Sequence, residues 1–290
     1  MTAVSPAHAL SRTLRRAHII DVLIEERAPK LSATPVWPLL RPPLYRVLDY
    51  GKAVRMADAI APLPGKAALD LVSGELQLKV GATGLEHIPA SGRVIAICNH
   101  PTGIADGIAV YDALKALRPD LCFYANSDAH RVCPRFTDIL IPVEWVEAKR
   151  TRERTRETLL LTREALEAER MLVIFPAGRL ARRAPDGALI DPPWQTSAVS
   201  LARRYDAPVI PIHQTGPWSG LFHFFNRFST ELRDMTLFHE FLNKQGRAFT
   251  LTVGPPVPPQ ALDGDPAEAT QRLKTYVERS LAAGPDRAFA

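Results

Sequence analysis

The stretch best equipped for chemistry is Cys98-Asn99-His100-Pro101-Thr102-Gly103-Ile104-Ala105-Asp106-Gly107, which leaves a short apolar run. A histidine just past such a run, with an aspartate six residues later, has the parts of an oriented general base. A carboxylate bonded to one ring nitrogen of His100 fixes the tautomer and leaves the other nitrogen to take a proton. Gly103 and Gly107 relieve the steric limits on folding the loop back far enough for Asp106 to reach the ring. Asn99, Thr102 and Gly103 are candidates for orienting that loop or for donating to a developing oxyanion. An oriented base contributes roughly 10²–10⁴-fold in rate. That is modest, so the reaction it serves should start from an activated donor such as a thioester. The same spacing also describes a turn with a surface histidine and an N-capping aspartate. On these two residues alone, that account is the simpler one.

The surrounding pattern says what must position them. Residues 1–35 read as a basic, partly helical arm, and 36–80 carry a helical pattern broken at Pro42–Pro43, at Pro62 and at Pro64–Gly65. From about 81, β-rich runs at 94–98, 121–125, 141–146, 171–175, 208–213 and 249–253 alternate with amphipathic stretches at 106–117, 151–169, 196–205 and 267–281. Strands alternating with helices argue an α/β fold with a mostly parallel central sheet flanked by helices. The expected division is an N-terminal helical arm and cap over 1–80, a sheet domain over 81–260 and a C-terminal helix over 261–290. Ligands of such sheets bind beyond the carboxyl ends of the strands, where His100 sits.

Composition narrows the classes. The chain has 290 residues, 46% of them hydrophobic and 23% charged, which excludes a disordered or fibrous protein. The net charge of +5 suits an anionic partner without naming one. Of the cations, 28 are Arg and 8 Lys, a bias that a GC-rich genome would also produce. Cys98, Cys122 and Cys133 form no CxxC pair, so neither a disulfide scaffold nor a zinc site is expected, and a reducing compartment fits. Cys98 reads as a small hydrophobe at a strand end, and no Cys/His arrangement suggests a nucleophile. The histidines show no metal-ligand motif, and no metal is expected. A phosphate-binding or dinucleotide glycine loop and a GxSxG elbow are absent. Nucleic-acid binding would rest on the charge alone, so no nucleic acid is expected. No signal-peptide core and no run long enough to span a bilayer stands out.

Asn-His-Pro-x-Gly-x-x-Asp-Gly after a buried strand resembles the first motif of the glycerolphosphate (lysophosphatidic acid-type) acyltransferase family. Its His-x5-Asp spacing is similar to the branch of ornithine-lipid acyltransferases and proteins labelled hemolysins. Phe175-Pro176-Ala177-Gly178-Arg179 stands where the family has Phe-Pro-Glu-Gly-Thr-Arg. Ala207-Pro208-Val209-Ile210-Pro211-Ile212 is similar to its late Val-Pro-Val strand, and the likeness covers about 80–255. The resemblance implies that His100 and Asp106 are catalytic and that an acceptor attacks the thioester of acyl-CoA or acyl carrier protein directly. It implies no cofactor beyond that co-substrate. It also implies acceptor binding around Arg131 and Arg135 and around Pro176, Gly178 and Arg179. Ala177 where the family has Glu puts a glycerol-3-phosphate acceptor in doubt and fits another anionic group, such as an amino-acid carboxylate. Arg179, Arg182 and Arg183 could supply the charge from shifted positions, a solvated loop being the equal account of the last two. Glu144 pairs with a substrate amine or, by slight preference, a structural arginine. The run of charges over 149–157 reads as a solvated helix face.

Seven of the eleven phenylalanines lie between 222 and 249. Trp218, Phe222, Phe225 and Phe228 recur at helical spacing beside Arg227 and Arg233, a pattern suited to a helix in the headgroup region of an anionic membrane. The 14–24 stretch, with Arg12, Arg15 and Arg16, is a second candidate. An acyl-chain tunnel or ordinary core packing accounts for these aromatics equally well. The expected protein is therefore a peripheral acyltransferase at the cytoplasmic face of the cell membrane. It moves a fatty acyl group to the hydroxyl or amine of a lysophospholipid or ornithine-like lipid precursor. A non-catalytic lipid-binding protein on the same fold is the alternative.

Overall fold

The computed structural model describes residues 17–144, 151–184, 187 and 189–289. Arg12, Arg15 and Arg16 of the basic arm, and Lys149 and Arg150 of the charged run, lie outside the described residues. The described residues open with helices α1 (Ile19–Arg27), α2 (Pro29–Ser32), α3 (Trp37–Val47), α4 (Tyr50–Ile60) and α5 (Gly65–Leu76). Next come β1 (Lys79–Thr83), β2 (Val94–Cys98), α6 (Ile104–Leu114), β3 (Cys122–Asn126), α7 (Asp128–Val132) and β4 (Leu140–Val143). They are followed by α8 (Arg152–Glu167), β5 (Met171–Ile174), the two-residue strands β6 (Arg182–Arg183) and β7 (Leu189–Ile190), α9 (Ser197–Tyr205) and β8 (Val209–Thr215). The remaining elements are α10 (Gly220–Phe225), α11 (Thr230–Met235), α12 (Leu237–Leu242), β9 (Ala248–Val253) and α13 (Pro266–Thr275).

Seven strands make one sheet in the order β1-β9-β8-β2-β5-β3-β4, and every neighbouring pair except β8–β9 is parallel. The α/β class expected from the alternation of elements therefore holds. The unbroken apolar runs VIAIC and MLVI fall at the sheet's middle, where both faces are covered and every residue of β2 and β5 is buried. Side chains alternate across β2. Ile95 and Ile97 pack with Leu166, Val199 and Leu273 on one face, and Val94, Ala96 and Cys98 pack with Leu69, Ala109 and Tyr111 on the other. Each such aliphatic contributes about 1.5–3 kcal/mol by leaving water. A charge within this strand would have no solvent to reach.

Two expectations are corrected here. Pro42 and Pro43 do not break the helical pattern: α3 runs through both. The carbonyls they deprive of donors belong to Pro38 and Leu39, which are exposed, so water can replace the lost bonds. Strand β1 was not expected, because its half-exposed Lys-Val-Gly-Ala-Thr lacks an apolar run, and only pairing with β9 makes it a strand. The N-terminal helices bury their own cluster, with Ile20, Ile24, Trp37 and Ala57 meeting Met235 and Leu242 from beyond the sheet. That cluster lies over the carboxyl end of the sheet and roofs the site.

Candidate active site

β2 ends at Cys98, and the loop after it carries His100 into the space beyond the carboxyl ends of β2, β5 and β8. The His100 Nδ1 lies 2.9 Å from Asp106 Oδ2. Asp106 is fully buried at the third residue of α6. It also accepts bonds from the Thr102 amide at 2.9 Å, the Gly103 amide at 2.9 Å and the Thr102 hydroxyl at 2.5 Å. Since those partners are all donors, the carboxylate serves as an acceptor and His100 Nδ1 carries the proton toward it. The Nε2 is then free to accept one. The His100 side chain keeps 17% exposure and lies against the Phe175 ring, with centroids 4.7 Å apart.

Asp106 can accept two successive amides only because Gly103 has φ +103° and ψ −142°, a conformation reserved for glycine. A Cβ there would lie 3.2 Å from Leu180 Cδ2. At the other wall, a Cβ on Gly216 would come within 2.6 Å of Thr102 Cγ2, so the end of β8 can close on the loop only as glycine.

Asn99 does not face a reacting group. Its amide nitrogen donates to the Gln214 carbonyl at 2.9 Å, and its oxygen accepts from the Gln214 amide at 2.7 Å. The Thr102 hydroxyl is spent on Asp106, and its carbonyl accepts from Ser219 Oγ at 3.1 Å. Of the two roles open to Asn99, Thr102 and Gly103, these bonds are those of loop orientation. Cys98 is fully buried, and burial pushes its thiol well above the usual range, which leaves it inert as a nucleophile.

From His100 a cavity of about 360 Å³ runs under the N-terminal helices, within the span of small-molecule sites. Its walls are mainly apolar: Ile20 and Leu23 of α1, Ala53 and Ala57 of α4, Ile104 and Ile108 of α6, Phe123 of β3, and Phe238 and Phe241 of α12. The polar and charged residues of the wall include His100, Arg27, Asp128, Asn126 and Arg179. Gly178 and Arg179 line it from the turn after β5, whereas Pro176 is buried behind them and its carbonyl accepts from the Gln195 amide. Arg27 donates to Asp128 at 2.9 Å and stacks over Phe238 at 5.2 Å. Burial lowers its pKa, partly offset by Asp128.

Arg131 and Arg135 do not line the cavity. Arg131 is held bidentately by Glu26 at 2.8 and 2.9 Å and by Asp128 at 3.2 Å, and these bonds raise its pKa. Arg135 is exposed and donates to the Pro62 carbonyl at 3.4 Å. Both guanidiniums tie α7 and the turn after it to the N-terminal helices. Glu144 pairs with Arg154 at 3.1 Å, the structural alternative, while Trp145 lies outside the described residues.

Trp218, Phe222, Phe225 and Phe228 do not form one face, and none lines the cavity. Phe222 is buried, with Arg182 over its ring at 5.1 Å and its amide bonded to the buried Glu240 at 2.9 Å. Phe225 is half-buried. The helix ends at Phe225, so helical periodicity does not extend to Phe228. Trp218, Phe224 and Phe228 are the exposed aromatics, at 41%, 54% and 65%. Arg183 lies over Trp218 at 4.4 Å.

Sequence reasoning passed over Asp191, Arg27 and the cavity. The Asp191 carboxylate accepts the His100 backbone N–H at 3.1 and 3.2 Å. Its only local signal is an aspartate before Pro192, Pro193 and Trp194, which reads as a turn. Among the described residues no cluster of metal-ligating side chains is present, and no helix is long and apolar enough to cross a membrane.

The family model described as Acyltransferase matches residues 79–214, from the first residue of β1 into β8. A lyso-glycine lipid O-acyltransferase of Phocaeicola vulgatus is 27% identical over 214 residues, covering 70% of this chain and 73% of that protein. One from Bacteroides thetaiotaomicron is 23% identical over 210 residues, covering 70% and 75%. The crystal structure of the 1-acyl-sn-glycerophosphate (LPA) acyltransferase PlsC from Thermotoga maritima aligns with a TM-score of 0.48 at 16% identity, over 91% of this chain and 94% of that one. The matched segment holds the His100–Asp106 loop, the turn after β5 and the strands that bring them together, and over that segment the chain is similar to the acyltransferase family.

Proposed function

We propose that this acyltransferase moves a fatty acyl group from an acyl-CoA or acyl-carrier-protein thioester to the hydroxyl of a lyso-lipid whose headgroup carries an amino-acid carboxylate. The observation that carries the reading is His100, oriented by Asp106, on the wall of a mainly apolar cavity. His100 Nε2 takes the hydroxyl proton as the acceptor oxygen bonds to the thioester carbon. The C–S bond then breaks, and the imidazolium returns the proton to the departing thiolate. Asp106 holds the ring and balances its transient charge. No acyl-enzyme is needed, consistent with three buried cysteines.

For the acceptor, Ala177 stands in place of a glutamate, Arg179 lines the cavity, and the relatives are named for a lyso-glycine lipid. A guanidinium suits a carboxylate as well as a phosphate. The protein works at a membrane surface through the exposed Trp218, Phe224 and Phe228 beside Arg183 and Arg227. The test is thiol release from acyl-CoA and acyl carrier protein with no acceptor, with lysophosphatidic acid and with lyso-glycine and lyso-ornithine lipids, alongside His100→Ala. Release that requires an amino-acid lyso-lipid and is lost in the variant is expected. Release with lysophosphatidic acid alone would overturn the acceptor assignment.

A further inference from the structure

His100 is held at its backbone as well as its ring, and the backbone clamp comes from one excursion between β5 and α9. The His100 carbonyl accepts from the Ala181 amide at 2.9 Å. Its N–H is shared between both oxygens of Asp191, at 3.1 and 3.2 Å. Asp191 is 5% exposed and has no solvent to satisfy it. It is itself fixed twice. The Trp194 indole N–H donates to its Oδ2 at 2.9 Å. Its own amide donates to Glu278 Oε1 at 2.8 Å, on the turn after α13, where Glu278 pairs with Lys274. A buried carboxylate placed against the backbone of a base, and braced from the far end of the chain, is costly unless its charge is used.

We infer that Asp191 is a positioning residue for acyl transfer, holding the His100 backbone so that Nε2 meets the acceptor hydroxyl. This rests on the reading of His100 as the general base. A geometric error of about 1 Å at a reacting group costs on the order of 10²-fold in rate, so loss of this clamp should fall on kcat rather than KM.

The position also makes the clamp sensitive to pH. The charged or titratable groups around Asp191 are His100 and Cys98 from the β2 end and Glu278 from the C-terminal turn, the last paired with Lys274 and near His213 of β8. Burial pushes the Asp191 carboxyl up to about 6, with the Trp194 and His100 bonds pulling it down and Glu278 pushing it further up. As pH falls through that value the carboxylate takes a proton, loses its charge and keeps only one good acceptor oxygen for two N–H groups.

The experiment measures kcat and KM across pH for wild type, Asp191→Asn, Trp194→Phe, Glu278→Gln and His100→Ala in the acceptor-dependent thiol-release assay. Asn mimics the protonated aspartic acid. The kcat ratio of wild type to D191N should therefore be about tenfold or more at about pH 8 and approach one at about pH 5, with KM within about twofold. If D191N does not fold, the remaining variants carry the test by the pH of this extra acid step. It should move up in W194F, which removes a donor to the carboxylate, and down in E278Q, which removes a neighbouring charge. A ratio that stays constant with pH, D191N within about twofold of wild type at about pH 8, or shifts of the same sign in W194F and E278Q would overturn the inference. Transfer retained in H100A would instead overturn the base assignment on which it rests.

Discussion

Asp106→Asn separates the charge of the carboxylate from its shape. Asp106 Oδ2 accepts the three N–H groups of His100, Thr102 and Gly103, while Oδ1 meets only the Thr102 hydroxyl. An asparagine with its oxygen at the Oδ2 position keeps all three N–H bonds, and the hydroxyl rotates to accept from the new amide. The loop and the His100 tautomer are therefore retained, and what is lost is the negative charge facing the ring. Charge centres about 4 Å apart interact by about 4 kcal/mol at an effective dielectric near 20. The amide dipole keeps part of this, so the imidazolium formed during transfer should lose about 2–3 kcal/mol. That converts to a fall in kcat of about 30- to 150-fold. The carboxylate also sits at the N-terminus of α6, so a stability loss of about 1 kcal/mol is expected alongside. Acceptor-dependent thiol release gives kcat and KM, and thermal unfolding monitored by circular dichroism gives the stability. A kcat within about threefold of wild type in a folded D106N would refute the claim that His100 gains charge in the rate-determining step.

Gly103→Ala should lose about 1–3 kcal/mol of stability, because alanine is strained at φ +103° and its methyl meets Leu180. Its activity should fall more than its melting temperature explains, and a fully active variant would show that the loop tolerates another backbone path. Ala57→Phe fills the cavity wall under α4, so the preferred donor should shift to shorter acyl chains in a chain-length series. An unchanged preference would remove that part of the cavity from acyl binding. Phe224→Ser with Phe228→Ser should abolish sedimentation with anionic vesicles while leaving turnover of a detergent-dispersed acceptor near wild type. Undiminished vesicle binding would place the membrane contact elsewhere.

The chain's local pattern determined the central strands of the sheet and the chemistry of the first loop. Val94–Cys98 is a strand in the structure because five consecutive apolar residues can be satisfied only at the middle of a covered sheet. The spacing of His100, Gly103 and Asp106 encodes their contact, since all three lie within one turn and the start of one helix. Loop order across the parallel sheet placed the turn after β5 beside that histidine. What only the tertiary structure decided involves partners distant in sequence. Asp191 reaches His100 across 91 residues, and nothing near Asp191 in the chain distinguishes a clamp from a turn. Arg131 has the right type for an anion site, yet Glu26, 105 residues earlier, takes both of its nitrogens. The cavity is roofed by α1 and α4, whose apolar stripes look in sequence like any surface helix packing on a core. The aromatic run misled for a related reason. Periodicity assigns a face only while the helix lasts, and α10 ends at Phe225. Burial of Phe222 and exposure of Phe224 and Phe228 were therefore set by Glu240, Arg182 and the turn between α10 and α11.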